Sequence, residues 1–88
     1  MAYQLRYEKA ATKDLKKMDR QVAAFILKQC DDVLTSNPVH GPGTKCLQTD
    51  VYRLEVRQDW RVVYRVEGDT VTVLVAGHRK DIYKRPFW

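Results

Sequence analysis

The chain has only two cysteines, three prolines and four glycines among its 88 residues. Cys30 and Cys46 stand alone, well short of the Cys/His quartet that a structural zinc site takes. A disulfide between them is disfavoured in a reducing compartment, and Cys30, on an apolar helix stripe, reads as a small buried hydrophobe. No apolar run approaches the ~20 residues of a membrane span. Arg6, Glu8 and Lys9 occupy the place where a signal peptide needs its apolar stretch. No membrane partner, metal or organic cofactor is expected, and the expected location is the cytoplasm. Repeats and low-complexity tracts are missing too, and apolar residues make up 44% of the chain. One domain over residues 1–88 follows.

What is abundant is positive charge. Sixteen Lys and Arg against eleven Asp and Glu give a formal net charge of +5, which suits a polyanionic partner or simply a soluble basic surface. Its distribution is uneven. Arg53, Arg57, Arg61, Arg65, Arg79 and Arg85 all lie in the second half. A planar guanidinium grips phosphate better than a lysine ammonium does, so the chemistry is sought there.

Residues Tyr3–Glu8 alternate as a strand. Ala11, Leu15 and Met18 then follow helical spacing. Asp19 is a natural cap for a second helix with its stripe on Val22, Ile26, Cys30 and Val33. "SNPVHGPG" (Ser36–Gly43) is a loop, with His40 in solvent. Four further strands are read in Lys45–Gln48, Val51–Arg57, Arg61–Val66 and Thr70–Gly77. The order β-α-α-β-β-β-β predicts an α+β fold of two layers: a mainly antiparallel sheet with a helical hairpin on one face.

Side-chain parity limits the registers. A Gln58-Asp59-Trp60 loop places Arg57 opposite Arg61, Arg53 opposite Arg65 and Leu54 opposite Tyr64. A two-residue Gly68-Asp69 turn of type II′ places Tyr64 opposite Val73, Val62 opposite Val75 and Arg61 opposite Ala76. Arg53, Arg57, Arg61, Arg65 and His78 then gather on a helix-free face, with Glu55 among them and Arg79 next to His78. Facing like charges destabilise a sheet, which argues for a use beyond stability. Tyr64 points into the core. Trp60 either packs on a neighbouring strand or stacks on RNA.

In "YRLEVRQDWRVVYRV" (Tyr52–Val66) and "GHRKDIY" (Gly77–Tyr83) the chain resembles the RelE family of toxins, in the RelE/ParE superfamily of type II toxin–antitoxin modules. The resemblance covers nearly the whole chain. It implies a microbial-ribonuclease-like fold with a curled sheet. It also implies a metal-independent endoribonuclease that cuts mRNA in the ribosomal A site, the ribose 2′-OH attacking the adjacent phosphate. Carried over residue by residue, Arg61 binds the scissile phosphate, Arg79 stabilises the transition state or helps protonate the leaving oxygen, and Tyr83 stacks on or orients the cut nucleotide. Arg53, at a position often held by lysine, neutralises phosphate charge, joined on the same face by Arg57 and Arg65. His78 has the chemistry of a proton shuttle. Glu55 stands where some members have lysine. It is either a general base or a structural partner of Arg53 or Arg65. Lys80 and Lys84 are solvated lysines or rRNA phosphate contacts, and Arg85 belongs to tail or RNA contact. Phe87 and Trp88 suggest a tail that docks on the protein or on a partner. The family further implies a cognate RelB-like antitoxin, with the ribosome and mRNA as the other partners and DNA reached only through the antitoxin. Related ParE toxins, which share the fold, instead target DNA gyrase.

Overall fold

The computed structural model describes residues 2–85; Phe87 and Trp88 lie outside them. The order is β1 (Gln4–Tyr7), α1 (Lys9–Lys17), α2 (Arg20–Gln29), β2 (Thr44–Gln48), β3 (Val51–Val56), β4 (Trp60–Glu67) and β5 (Thr70–His78), then a 3₁₀ turn at Ile82–Lys84. The α+β architecture is the one expected. Asp19 caps α2 by accepting from the Gln21 N–H at 2.9 Å. The helix then widens into a π-helical turn over Cys30–Leu34 before the loop. Among the described residues no helix is long and apolar enough to cross a membrane.

The five strands form one sheet in the order β1-β5-β4-β3-β2. Only β1 and β5 pair in parallel; the other three pairings are antiparallel. The sheet is open, with β1 and β2 as its edges, rather than curled as the resemblance implied. One face packs the helices through Ala11, Ile26, Cys30, Leu54, Val56, Val62, Tyr64 and Val73, among others. Tyr64 is fully buried, stacks on Tyr52 with ring centroids 5.9 Å apart, and donates its hydroxyl to the Pro38 carbonyl.

Two registers differ from expectation. Between β3 and β4, Val56 faces Trp60 and Glu55 faces Arg61, so the turn is Arg57-Gln58-Asp59. The shift is two in the sum of paired numbers. It keeps the core face inward, which is why parity could not detect it. Between β4 and β5 the Gly68-Asp69 turn forms, with φ +60 at Gly68, and Tyr64 faces Val73. The register then slips between Val63 and Tyr64, so that Val62 faces Ala76 and Arg61 faces Gly77. This bulge puts two successive apolar residues, Leu74 and Val75, on the outer face. There they bury a second small core with Val51, Val63 and Ile82. The outer face is therefore not bare: the segment after β5 roofs its centre.

The first core includes Cys30, which is fully buried beside Tyr7. Burial pushes the Cys30 thiol up to about 12, whereas Cys46 is exposed on the edge strand β2. Since the thiolate is the reactive form, Ellman's reagent at pH 8 should titrate one thiol of the folded protein and both in guanidinium chloride. Rapid reaction of two thiols without denaturant would contradict this packing.

Candidate functional site

β3 and β4 present Arg53, Glu55 and Arg61 at one end of the outer face. Arg61 donates from Nη1 to the carbonyls of Gln58 (2.6 Å) and Trp60 (3.0 Å), and its Nη2 lies 3.1 Å from Glu55 Oε1. Its side chain is only 12% exposed. Arg53 approaches the same Glu55 oxygen from the other side, at 4.0 Å, and donates to the Gly43 carbonyl at 2.8 Å. The Gly43 carbonyl also accepts from the Glu55 N–H at 2.9 Å. Gly43 has φ +81, and a Cβ there would sit 3.0 Å from the Glu55 carbonyl. Only glycine lets the loop end come this close. One carboxylate thus lies between two guanidiniums whose directions are fixed by backbone carbonyls.

The Arg57-Gln58-Asp59 turn organises this end of the sheet. Arg57 (φ 50) and Gln58 (φ 64) are both left-handed although neither is glycine, at a cost of about 1–2 kcal/mol each. The turn aims the Gln58 carbonyl at Arg61. It also aims the Asp59 carbonyl at the Arg79 N–H (2.7 Å), while Asp59 Oδ1 lies 3.4 Å from Arg79 Nε. Arg61, on β4, and Arg79, just after β5, are anchored on adjacent residues of one turn.

The expected gathering of arginines is narrower than parity implied. Arg53 and Arg61 flank Glu55. Arg57 has left the face: it lies in the turn with its guanidinium 3.3 Å from the centroid of the Phe25 ring, on the helix side. Arg65 sits four residues along β4 from Arg61, roughly 13 Å at strand rise, opposite Val51 and Thr72. His78 is also off the face. The bulge reverses parity beyond Leu74, so His78 pairs with Trp60 on the helix side, edge to face at 5.4 Å, and its Nδ1 accepts from the Lys80 N–H at 3.2 Å. Trp60 packs on the main core. Tyr83 is 48% exposed on the 3₁₀ turn, and Lys80 and Lys84 are exposed. Arg85 is no solvated tail residue, since its Nη1 lies 2.7 Å from Asp14 Oδ2.

Four residues that position the site were not picked out from the sequence: Gly43, Gln58, Asp59 and Asp14. Gly43 and Gln58 act through backbone carbonyls, which leave no side-chain signal. Asp14 did leave one, because it falls three residues after Ala11, on the core-facing side of α1, where a carboxylate needs a partner.

Comparison with known proteins bears on this geometry. A family model described as the ParE toxin of the type II toxin–antitoxin system parDE matches residues 5–83. Free Escherichia coli toxin RelE, solved as a double mutant, superposes with a TM-score of 0.78 at 26% identity, covering 94% of this chain and 90% of that one. The Mycobacterium tuberculosis toxin–antitoxin complex RelBE2 gives 0.79 at 24%, covering 92% and 95%. A chromosomal ParDE system from Pseudomonas aeruginosa gives 0.72 at 17%, covering 88% and 96%. The last two establish a shared fold. No curated protein matches the sequence significantly.

Proposed function

The chain belongs to the ParE toxin family of type II toxin–antitoxin systems, and we propose that within it this toxin is a ribosome-dependent endoribonuclease that cuts mRNA in the A site. The observation carrying this reading is the Arg53–Glu55–Arg61 group, with Arg79 anchored on the same turn as Arg61. Two preoriented guanidiniums around a carboxylate match what 2′-OH attack on phosphate requires. The bond from O2′ to phosphorus forms and the P–O5′ bond breaks, leaving a 2′,3′-cyclic phosphate and a 5′-OH. Arg61 and Arg53 take the phosphate oxygens, which hold more charge in the transition state. Glu55 receives the 2′-OH proton, and Arg79 supports protonation of the leaving oxygen. Tyr83, half exposed beside the second core, offers a face for the cut nucleotide. His78, on the helix side against Trp60, shapes the wall rather than acting on the phosphate. Arg57, Arg65, Lys80 and Lys84 supply outlying positive charge for RNA. The ion pair of Arg79 in the free toxin does not stand in the way. The Arg79–Asp59 pair is half exposed on both sides, and such pairs contribute ~0–1 kcal/mol, so RNA phosphate can replace the carboxylate.

Glu55→Gln should slow cleavage by about 10²–10⁴-fold, the usual range for a lost proton-transfer group, with ribosome binding retained. His78→Ala should have a smaller effect. The check is a single-turnover rate on stalled ribosomes; an unchanged rate in Glu55→Gln would remove Glu55 from the proton path, and a loss in His78→Ala as large as that in Glu55→Gln would put His78 on it.

RelE relatives of E. coli and Methanococcus jannaschii were solved as complexes with RelB antitoxins. An acidic antitoxin segment laid on the basic surface is accordingly the expected inhibitor here, and DNA is reached only through it. The second reading, a gyrase inhibitor without nuclease activity, is favoured by the name of the matching family model and the fold shared with P. aeruginosa ParDE. Expression of the toxin alone separates the two. Rapid arrest of translation supports the nuclease, whereas DNA damage with filamentation supports gyrase inhibition.

A further inference from the structure

Asp14 lies on α1, in the helix layer, yet it meets the C-terminal segment. β1 covers the edge of β5 only as far as Val73, where Tyr7 is its last partner and the Glu8 N–H closes the ladder on the Val73 carbonyl. Beyond that point the chain of β1 has turned into α1, so among the described residues the outer edge of β5 has no strand beside it. Asp14 fills the gap. Its Oδ2 accepts from the Ala76 N–H at 3.1 Å, and the same oxygen lies 2.7 Å from Arg85 Nη1. Its side chain is 16% exposed, and that of Arg85 38%. A charge-assisted contact at this depth is stronger than a surface pair.

The two donors bracket residues 77–84. One carboxylate oxygen therefore holds both ends of the segment that carries Arg79 and Tyr83. Between these ends Gly77 and His78 still pair with β4, and Arg79 is held by Asp59 through its N–H and its side chain. From Lys80 to Lys84 the anchor to the rest of the fold among the described residues is buried Ile82. Tyr83 lies on the 3₁₀ turn two residues before Arg85 and is itself half exposed.

We propose that Asp14 is a positioning residue: through Ala76 and Arg85 it fixes the 77–84 segment over the outer face and thereby sets the placement of Tyr83. The functional half of this rests on the nuclease reading; the structural half does not.

The experiment uses Asp14→Asn, which keeps an oxygen acceptor for the Ala76 N–H but removes the charge that holds Arg85. Arg85→Gln removes the other partner, and Arg85→Lys restores a cation. In the full-length toxin, hydrogen exchange of the amides of residues 79–84 should be at least tenfold faster in Asp14→Asn and Arg85→Gln, with exchange in β3 and β4 unchanged. Arg85→Lys should recover most of the protection. In single-turnover mRNA cleavage, Asp14→Asn should cost about tenfold in the Tyr83-containing protein and nothing further in a Tyr83→Ala background. Unchanged exchange at 79–84, or loss of protection throughout the domain, would overturn the staple. An equal, additive loss of cleavage with and without Tyr83 would overturn the link to Tyr83. If the wild-type protein cleaves no mRNA, the nuclease reading and with it the link to Tyr83 fail, while the exchange result still decides whether Asp14 holds the segment.

Discussion

Arg61→Ala should lower mRNA cleavage by about 10²–10³-fold, the loss that follows removal of one preorganised group facing transition-state charge. Arg61 is the least exposed guanidinium of the site, and three partners fix it: two carbonyls and the Glu55 carboxylate. A group that already points the right way needs no reordering as charge develops on the phosphate, so most of its interaction energy appears in the rate. The fold should survive. Glu55 is 41% exposed, so water can take over the role of the missing guanidinium, and its charge is not stranded in the interior. Arg61→Lys should not restore activity, since an ammonium cannot reach two carbonyls and a carboxylate with one fixed fork. The measurement is single-turnover cleavage with a thermal melt on the same samples. Wild-type rates in a folded Arg61→Ala protein would exclude Arg61 from the chemistry.

Tyr64→Ala should destabilise the domain by about 3–5 kcal/mol, a large part of the ~5–15 kcal/mol that holds small domains together. Tyr64 is buried between the helices and the sheet, stacks on Tyr52, and reaches 26 residues back to the Pro38 carbonyl. Pro38 is buried too. That bond ties the Ser36–Gly43 loop to the sheet, and the loop ends at Gly43, whose carbonyl orients Arg53. Tyr64→Phe should cost about 1–3 kcal/mol, the usual penalty for leaving a buried acceptor unpaired. Urea denaturation should show the midpoint falling in that order with similar slopes. A Tyr64→Ala midpoint equal to wild type would mean that the ring does not form the core.

The sequence carried the fold far. Alternation of apolar residues in Val51–Arg57 and Arg61–Val66 pointed to the core face, and Asp19 announced the start of α2. Parity is blind, however, to a shift of two in the sum of paired numbers. The Arg57-Gln58-Asp59 turn was missed for that reason, and because Arg57 and Gln58 adopt left-handed backbone that their side chains do not favour. The bulge was hidden differently. "VLVA" (Val73–Ala76) is apolar on both sides, so no polar residue marked where the alternation slipped. That one slip moved Ala76 to the core face and His78 to the helix side, and it created the second core under Ile82. Arg61, Glu55 and Arg53 stayed together because the extra residue of the bulge is on β5 and the β3–β4 ladder that joins them is regular. Arg57 was lost to the turn, where Phe25 offers its ring. The anchoring of Arg79 on Asp59 and of Arg85 on Asp14 joins residues far apart in the chain, and no local pattern encodes it.

The most direct test of the nuclease reading is primer extension on mRNA from a translating extract treated with purified toxin, with a DNA gyrase supercoiling assay on the same preparation. The expected result is new 5′ ends within ribosome-occupied codons, appearing only while translation proceeds, strongly reduced by Arg61→Ala and Arg79→Ala, with supercoiling unaffected. Intact mRNA alongside inhibited supercoiling would contradict the account and identify a gyrase poison on the same scaffold.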